Sequence, residues 1–263
     1  YNLGAQSHVA VSFQNPLYTS QTSVFGPITI LESIKNSKKD IKFYQASSSE
    51  MFGGVSEKKL NEESKLIPKS PYAVGKVFAH EMTKVYRESY DIFGVNGILF
   101  NHESPYRGET FVTRKITRAV GRIYHKLQSK VTLGNLEAAR DWGFAGDFME
   151  GIYLMMQNDK AEDWVLSTGE SHTVKEFAET AFNYADLNWE EFVFTDTKYE
   201  RPNEVNHLLG DSSKAEKNLG WKRKTSFNEL VKMMVDYDLG LAEREKVLVD
   251  KGLIKATWEN PIN

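Results

Sequence analysis

Residues 41–50 read Ile41-Lys42-Phe43-Tyr44-Gln45-Ala46-Ser47-Ser48-Ser49-Glu50. Positions 41–46 are short and β-prone, and four polar residues follow, the pattern of a strand running out into a loop. Upstream, residues 25–37 (FGPITILESIKNS) place Ile28, Leu31 and Ile34 three apart, as in a helix packed on a sheet. Downstream, a stretch rich in Gly, Ser, Lys and Glu covers 53–71 as a loop, and residues 72–90 follow as a long helix with Val77, Met82, Val85 and Tyr86 roughly on one face. Gly94-Val95-Asn96-Gly97-Ile98-Leu99-Phe100 reads as a second strand and ends in Asn101-His102-Glu103-Ser104-Pro105. Strand, helix and strand in this order predict an α/β domain with a parallel sheet. In such sheets ligands sit beyond the carboxyl ends of the strands, which is where residues 47–50 and 101–107 fall.

The same reading extends in both directions. Tyr1-Asn2-Leu3-Gly4-Ala5-Gln6-Ser7 has the character of a buried strand's end passing into a loop. Beyond Thr110 a basic helix carries Arg114, Arg118, Arg122 and Lys126 four apart, and the last three are expected on a solvated face. Short strands are expected at 131–134 and 164–167, a turn at 140–143, and helices at 146–157, 171–184, 212–218 and 226–238. The helix at 171–184 starts with a cap at Ser171 or Thr173, Glu176 lying three after Thr173.

Composition narrows the function classes. The 263 residues carry 33 Lys and Arg against 36 Asp and Glu, a net charge of −3, which argues against a dedicated nucleic-acid binder. With no cysteine there is no disulfide, thiolate nucleophile or Cys-ligated metal. His8, His80, His125, His172 and His207 are scattered without paired ligand spacing, so no metal site is expected. The apolar runs fall short of the roughly 20 residues a membrane span needs. A cytosolic enzyme or binding protein remains.

The chemistry concentrates in Tyr72-Ala73-Val74-Gly75-Lys76. A Tyr and a Lys at i, i+4 share a helix face, where the ammonium can lower the phenol's pKa and make it a usable base. The pair alone is a weak signal. With a serine-rich strand end before it and a polar loop after the next strand, it resembles the short-chain dehydrogenase/reductase superfamily in its extended, nucleotide-sugar-modifying branch. YNLGAQSHVAVSF, FYQASSSEMFG, SPYAVGK, NGILFNHESP, RGETFVTRKI, LGN, RDWG, RPNEV and LLGD together resemble the GDP-mannose 4,6-dehydratase family, from Tyr1 to about Trp221.

That resemblance implies a partial Rossmann-type, doubly wound parallel sheet, its first strands absent, with a smaller mixed α/β C-terminal substrate lobe. Residues 1–109 would be the remainder of the NADP-binding domain with the catalytic residues. Residues 110–263 would be mainly the nucleotide-sugar lobe, with 141–170 returning to the first domain. It further implies a hydro-lyase acting on GDP-mannose with NADP: Tyr72 as base at the sugar C4 hydroxyl, Lys76 as its partner and a ligand of the nicotinamide ribose, Ser48 (usually Thr in the family) on the C4 oxygen, and Glu50 removing the C5 proton. Leu3, Ala5, Ser7, His102 and Arg107 match cofactor-contacting positions; Asn101, Lys115, Arg140, Arg201 and Glu204 match positions holding the GDP part. Guanidinium groups suit pyrophosphate because they bind it bidentately. A homo-oligomer, dimer or tetramer, is implied as well, with Tyr106 standing where the family commonly has Arg.

The Gly-rich turn that cradles a dinucleotide pyrophosphate at a helix N-terminus is not found in the sequence. The chain is therefore expected to be part of a longer protein. Two other readings stay open: a related nucleotide-sugar epimerase or dehydratase acting on another sugar, and an inactive fragment.

Overall fold

The computed structural model describes residues 1–37, 39–54, 58–199 and 203–256. It begins with a single parallel bridge, Asn2 on Gln45. Two short helices, α1 (Val9–Gln14) and α2 (Pro16–Ser20), and a π turn (Gln21–Phe25) then lead into α3 (Gly26–Ser37). Strand β1 (Phe43–Ser48) ends in a 3₁₀ turn (Ser49–Phe52). Helix α4 (Pro71–Tyr90) opens with Ser70 accepting from the Ala73 amide at 3.1 Å and with Pro71 in the first turn, a start signal that needs no tertiary help. After it come β2 (Gly94–Leu99), β3 (Asn101–Glu103), α5 (Val112–Tyr124), β4 (Val131–Leu133), β5 (Ala139–Arg140), β6 (Trp142–Phe144), α6 (Ala145–Gln157) and β7 (Asp163–Leu166). The chain closes with β8 (His172–Thr173), α7 (Val174–Tyr184), α8 (Trp189–Phe192), β9 (Val193–Thr195), α9 (Ser213–Leu219) and α10 (Phe227–Asp250).

The main sheet is parallel in the order β1-β2-β7, with Ser48 opposite Leu99 and Leu99 opposite Leu166. Its three carboxyl ends are therefore level, and the Asn2 bridge extends it past β1 through Asn2 N to Tyr44 O, 2.8 Å, and Ala46 N to Asn2 O, 3.1 Å. Gly97 is required in β2: a Cβ there would lie 2.3 Å from the Tyr44 hydroxyl, which crosses the strand from β1. One apolar core joins this sheet to α6, α9 and the 3₁₀ turn, around Tyr44, Phe52, Phe100, Phe148, Trp164 and Trp221. A second packs α5, α7 and α10 around Trp142, Phe177, Phe182 and Met234.

Several expectations are corrected. The Arg118 and Arg122 side chains are not solvated: they are buried between α5 and α10, with Arg118 3.2 Å from both Glu109 and Glu245 and Arg122 3.1 Å from Glu245. Only Lys126, just past the helix, is exposed. Residues 140–143 are not a turn but the junction of β5 and β6. The Asp141 carboxylate fixes it, accepting from Thr168 N (2.7 Å), Thr168 Oγ1 (2.8 Å), Gly169 N (3.0 Å) and Gly210 N (3.2 Å). The last helix runs to Asp250, beyond the expected Asp238, from a capping box between Ser226 and Glu229. The helix expected over 171–184 starts at Val174, with Thr173 and Glu176 forming its capping box.

Candidate active site

Helix α4 runs across β1 and lays a ladder of contacts on it, one per turn. Tyr72 lies in the helix's first turn and its phenol bonds the Ser48 hydroxyl at the strand's end. One turn on, the Lys76 ammonium donates to the Ala46 carbonyl at 2.8 Å. Another turn on, the ring Nδ1 of His80 meets the Ser47 hydroxyl at 3.0 Å. The i, i+4, i+8 spacing dictates this face, and the parallel register dictates that it reaches the carboxyl end of β1.

Ser48 is the N-cap of the 3₁₀ turn and accepts from the Glu50 amide at 3.3 Å. Glu50 is buried in that turn, with the Arg140 guanidinium of β5 4.0 Å from its carboxylate. Arg140 in turn meets Glu204 at 3.1 Å. Glu50, Arg140 and Glu204 thus form one charged line across the end of the sheet.

Burial sets the electrostatics. It pushes the Tyr72 phenol above its usual pKa; the Ser48 hydrogen bond opposes this, the Glu50 carboxylate adds to it, and the Arg107 guanidinium opposes it. Burial lowers Lys76 to about 8. The ammonium is turned to Ala46 and lies 5.7 Å from the centroid of the Tyr72 ring, so the phenol is raised rather than lowered as the pair alone suggested. As folded, the cluster holds Tyr72 as a protonated phenol at neutral pH.

Beyond β2, Asn101 is half-buried in β3, and His102 bonds the Phe100 carbonyl through Nδ1 at 2.9 Å and stacks on Phe148. Burial lowers its pKa, so it is neutral. Arg107 is held 3.2 Å from Glu103 with its guanidinium 3.7 Å over the Phe111 ring. Its effect on the Tyr72 phenol places it within electrostatic reach of the Ser48, Glu50 and Tyr72 cluster.

Other expected residues lie apart from that cluster. Lys115, lowered to about 8 by burial and by Lys198, sits 4.0 Å over the Tyr199 ring and lines a cavity of about 1050 Å³ with Arg118, Arg122 and Lys130. Neither Arg140 nor Glu204 lines it. Leu3 is exposed and lines a small apolar recess with Met149, Ile152 and Tyr153; Ala5 is half-buried and Ser7 exposed. Arg201 lies outside the described residues. Sequence reasoning missed His80, Asp141 and the structural use of Arg114. For His80 the signal was present, as the third member of the Tyr72, Lys76 series. Among the described residues no group of three His, Asp or Glu side chains is arranged to hold a metal ion, and no helix is long and apolar enough to cross a membrane.

A level parallel sheet with polar loops at its carboxyl ends makes this a Rossmann-type α/β protein, and comparison with solved structures agrees. The structure of RMD from Pseudomonas aeruginosa complexed with NADPH superposes with a TM-score of 0.82 at 20% identity, over 90% of this chain and 80% of that one. At the level of sequence, a family model for GDP-mannose 4,6 dehydratase matches residues 1–234. GDP-mannose 4,6 dehydratase 1 of Arabidopsis thaliana is 55% identical over 260 residues, 97% of this chain and 72% of the relative. The human GDP-mannose 4,6 dehydratase is 45% identical over 260 residues, 92% of this chain and 70% of the relative. The chain belongs to the GDP-mannose 4,6-dehydratase family.

Proposed function

We propose that this chain carries the catalytic machinery of an NADP-dependent GDP-mannose 4,6-dehydratase, converting GDP-D-mannose to GDP-4-dehydro-6-deoxy-D-mannose and water. The observation that carries the reading is the meeting of Ser48, Tyr72 and Glu50 at the end of β1, with Lys76 one turn below. A base at one sugar carbon and a separate carboxylate for its neighbour are what a dehydratase needs and a simple dehydrogenase does not. The substrate is proposed from the family and from relatives that carry this name at 55% and 45% identity.

The residues present fit the nicotinamide end of a dinucleotide. Lys76 is buried at the strand end with an ammonium whose pKa burial lowers, and a ribose hydroxyl would give it a further acceptor beside the Ala46 carbonyl. His102 and Arg107 stand at the neighbouring strand end, Arg107 suited to a phosphate. Leu3, Ala5 and Ser7 follow the bridge on the other side of β1. Bound there, the nicotinamide supplies a hydride acceptor at C4 and a hydride donor at C6.

The protein's own part is proton handling. As folded, Tyr72 is a phenol, so it must first release its proton to solvent, a step favoured by the positive charge of a nicotinamide beside it. The phenolate, aligned by Ser48, then takes the C4 hydroxyl proton as the C4 hydride leaves, giving a 4-ketone. The ketone acidifies C5, whose proton passes to Glu50. Glu50 hands that proton to the departing C6 hydroxyl, which leaves as water. When hydride arrives at C6, the C5 carbon takes a proton back from Tyr72, so both residues end as they began. Asn101, Lys115, Arg140, Arg201 and Glu204 are the proposed holders of the GDP part. Residues 1–109 are proposed as the cofactor-binding and catalytic domain and 110–263 as mainly the sugar-nucleotide lobe, with 141–170 returning to the first. Assembly as a homo-oligomer and a place in the cytoplasm belong to the same proposal.

Incubating the protein with NADP and a panel of GDP- and dTDP-sugars tests the substrate. Turnover of GDP-mannose to the 4-keto-6-deoxy sugar is expected. Activity confined to dTDP-glucose would replace this reading with that of a related dehydratase.

A further inference from the structure

Arg114 is a heavily used side chain outside the proposed catalytic cluster. It is buried in the first turn of α5 and grips the fully buried Asp238 of α10, through Nε at 2.8 Å and Nη2 at 2.9 Å. The remaining nitrogen, Nη1, donates to the backbone carbonyls of Pro105 and Arg107, the latter at 2.9 Å. The guanidinium therefore joins α10 to the loop that follows β3. Within the loop, Arg107 N to Ser104 O at 3.0 Å and Tyr106 N to Ser104 Oγ at 3.1 Å close its turn. Within it, Arg107 is aimed by Glu103, which is itself held by Thr113 Oγ1 at 2.8 Å. Tyr237, next to Asp238, lies against Tyr106 from the same side.

We propose that Arg114 is a positioning residue for Arg107, with the buried Asp238–Arg114 pair holding the 104–107 loop so that the Arg107 guanidinium is presented to a dinucleotide phosphate. A planar fork can meet a carboxylate on one side and two carbonyls on the other, and a lysine cannot. Thr117 provides the contrast. It donates to the same Asp238 at 2.7 Å, and its other hydrogen bond goes to the Arg114 carbonyl rather than to the loop. The inference rests on the reading of Arg107 as a cofactor contact, and the test separates the two.

NADPH affinity is measured on the full chain by fluorescence titration for Arg107→Ala, Arg114→Lys, Thr117→Val and the Arg107→Ala/Arg114→Lys double variant. Amide hydrogen exchange is followed over 104–108. Arg107→Ala is expected to weaken binding about tenfold or more, the size of one hydrogen bond to a charged group. Arg114→Lys should weaken it nearly as much and speed exchange at the Arg107 amide. Thr117→Val should change neither. The double variant should bind no worse than Arg107→Ala alone, because a residue acting through another adds nothing once that one is gone. Losses that multiply in the double variant, or parent-like binding and exchange in Arg114→Lys, overturn the proposal. Parent-like binding in Arg107→Ala overturns instead the reading of Arg107, and the exchange data then decide whether Arg114 holds the loop. If Arg114→Lys fails to fold, Asp238→Asn, which keeps shape and removes the charge pair, is expected to show the same two changes in smaller degree. A folded Asp238→Asn protein with unchanged loop exchange counts against the proposal.

Discussion

Replacing Lys76 with methionine keeps the side chain's length and removes its charge, and the structure says how stability should respond to pH. Burial lowers the folded-state pKa from 10.5 to about 8. Below pH 8 both folded and unfolded chains carry the ammonium, and folding bears the full cost of burying it. Between pH 8 and 10.5 the folded chain has released the proton while the unfolded chain still binds it, so the parent gains stability as pH rises. At about 1.4 kcal/mol per pKa unit, the drop from 10.5 to about 8 corresponds to roughly 3 kcal/mol. Losing the hydrogen bond to Ala46 adds an offset of about 1–3 kcal/mol against the variant, but that offset is nearly independent of pH. Urea unfolding followed by fluorescence of the five tryptophans, at intervals from pH 7 to 10.5, gives the difference between the two proteins. It should shift in the parent's favour by roughly 3 kcal/mol, nearly all of it above pH 8. A difference that stays flat would mean that the ammonium is solvated or ion-paired, and the account of Lys76 as a desolvated buried cation would fail.

Three further outcomes follow from the packing and the chemistry. Tyr72→Phe should lower kcat by about 10²–10⁴, the usual worth of a positioned acid–base group, while NADP affinity measured by titration stays within a few-fold of the parent. Gly121→Ala would set a Cβ 2.4 Å from the Asp238 carbonyl oxygen; forcing α5 off α10 should cost about 1–3 kcal/mol, read as a lower Tm. In Asp141→Asn an amide NH₂ must face two of the four donors now satisfied by the carboxylate, and a loss of about 3 kcal/mol is expected, read from the urea midpoint.

What the sequence disclosed and what it hid have physical explanations. Strands β1 and β2, helix α4 and the capping box at Thr173 are local: a handful of neighbouring residues sets each one, and each was readable. The proposed catalytic face was readable as a helix face, because Tyr72 and Lys76 share a side by spacing alone. The Arg118 and Arg122 burial was not, since their partner Glu245 lies more than a hundred residues away, and a stripe of arginines looks the same facing water or facing carboxylates. The β5–β6 junction depends on Asp141 meeting amides 27, 28 and 69 residues on, so its local sequence reads as a turn. Residues 9–25 form two very short helices and a π turn, too short for any periodicity to show. The raised Tyr72 pKa is also tertiary in origin: spacing supplies the lysine, but only the fold supplies the burial.

The central claim is that one sugar is oxidised at C4, dehydrated across C5 and C6, and reduced at C6 by the same hydride, with Tyr72 and Glu50 moving the protons. Turnover of GDP-mannose labelled with deuterium at C4 tests this most directly. The product should be the 4-keto-6-deoxy sugar with the deuterium at C6, and NADPH absorbance should not rise. Deuterium returned to C4 of an epimerised sugar, released to solvent, or retained in accumulated NADPH would contradict the account.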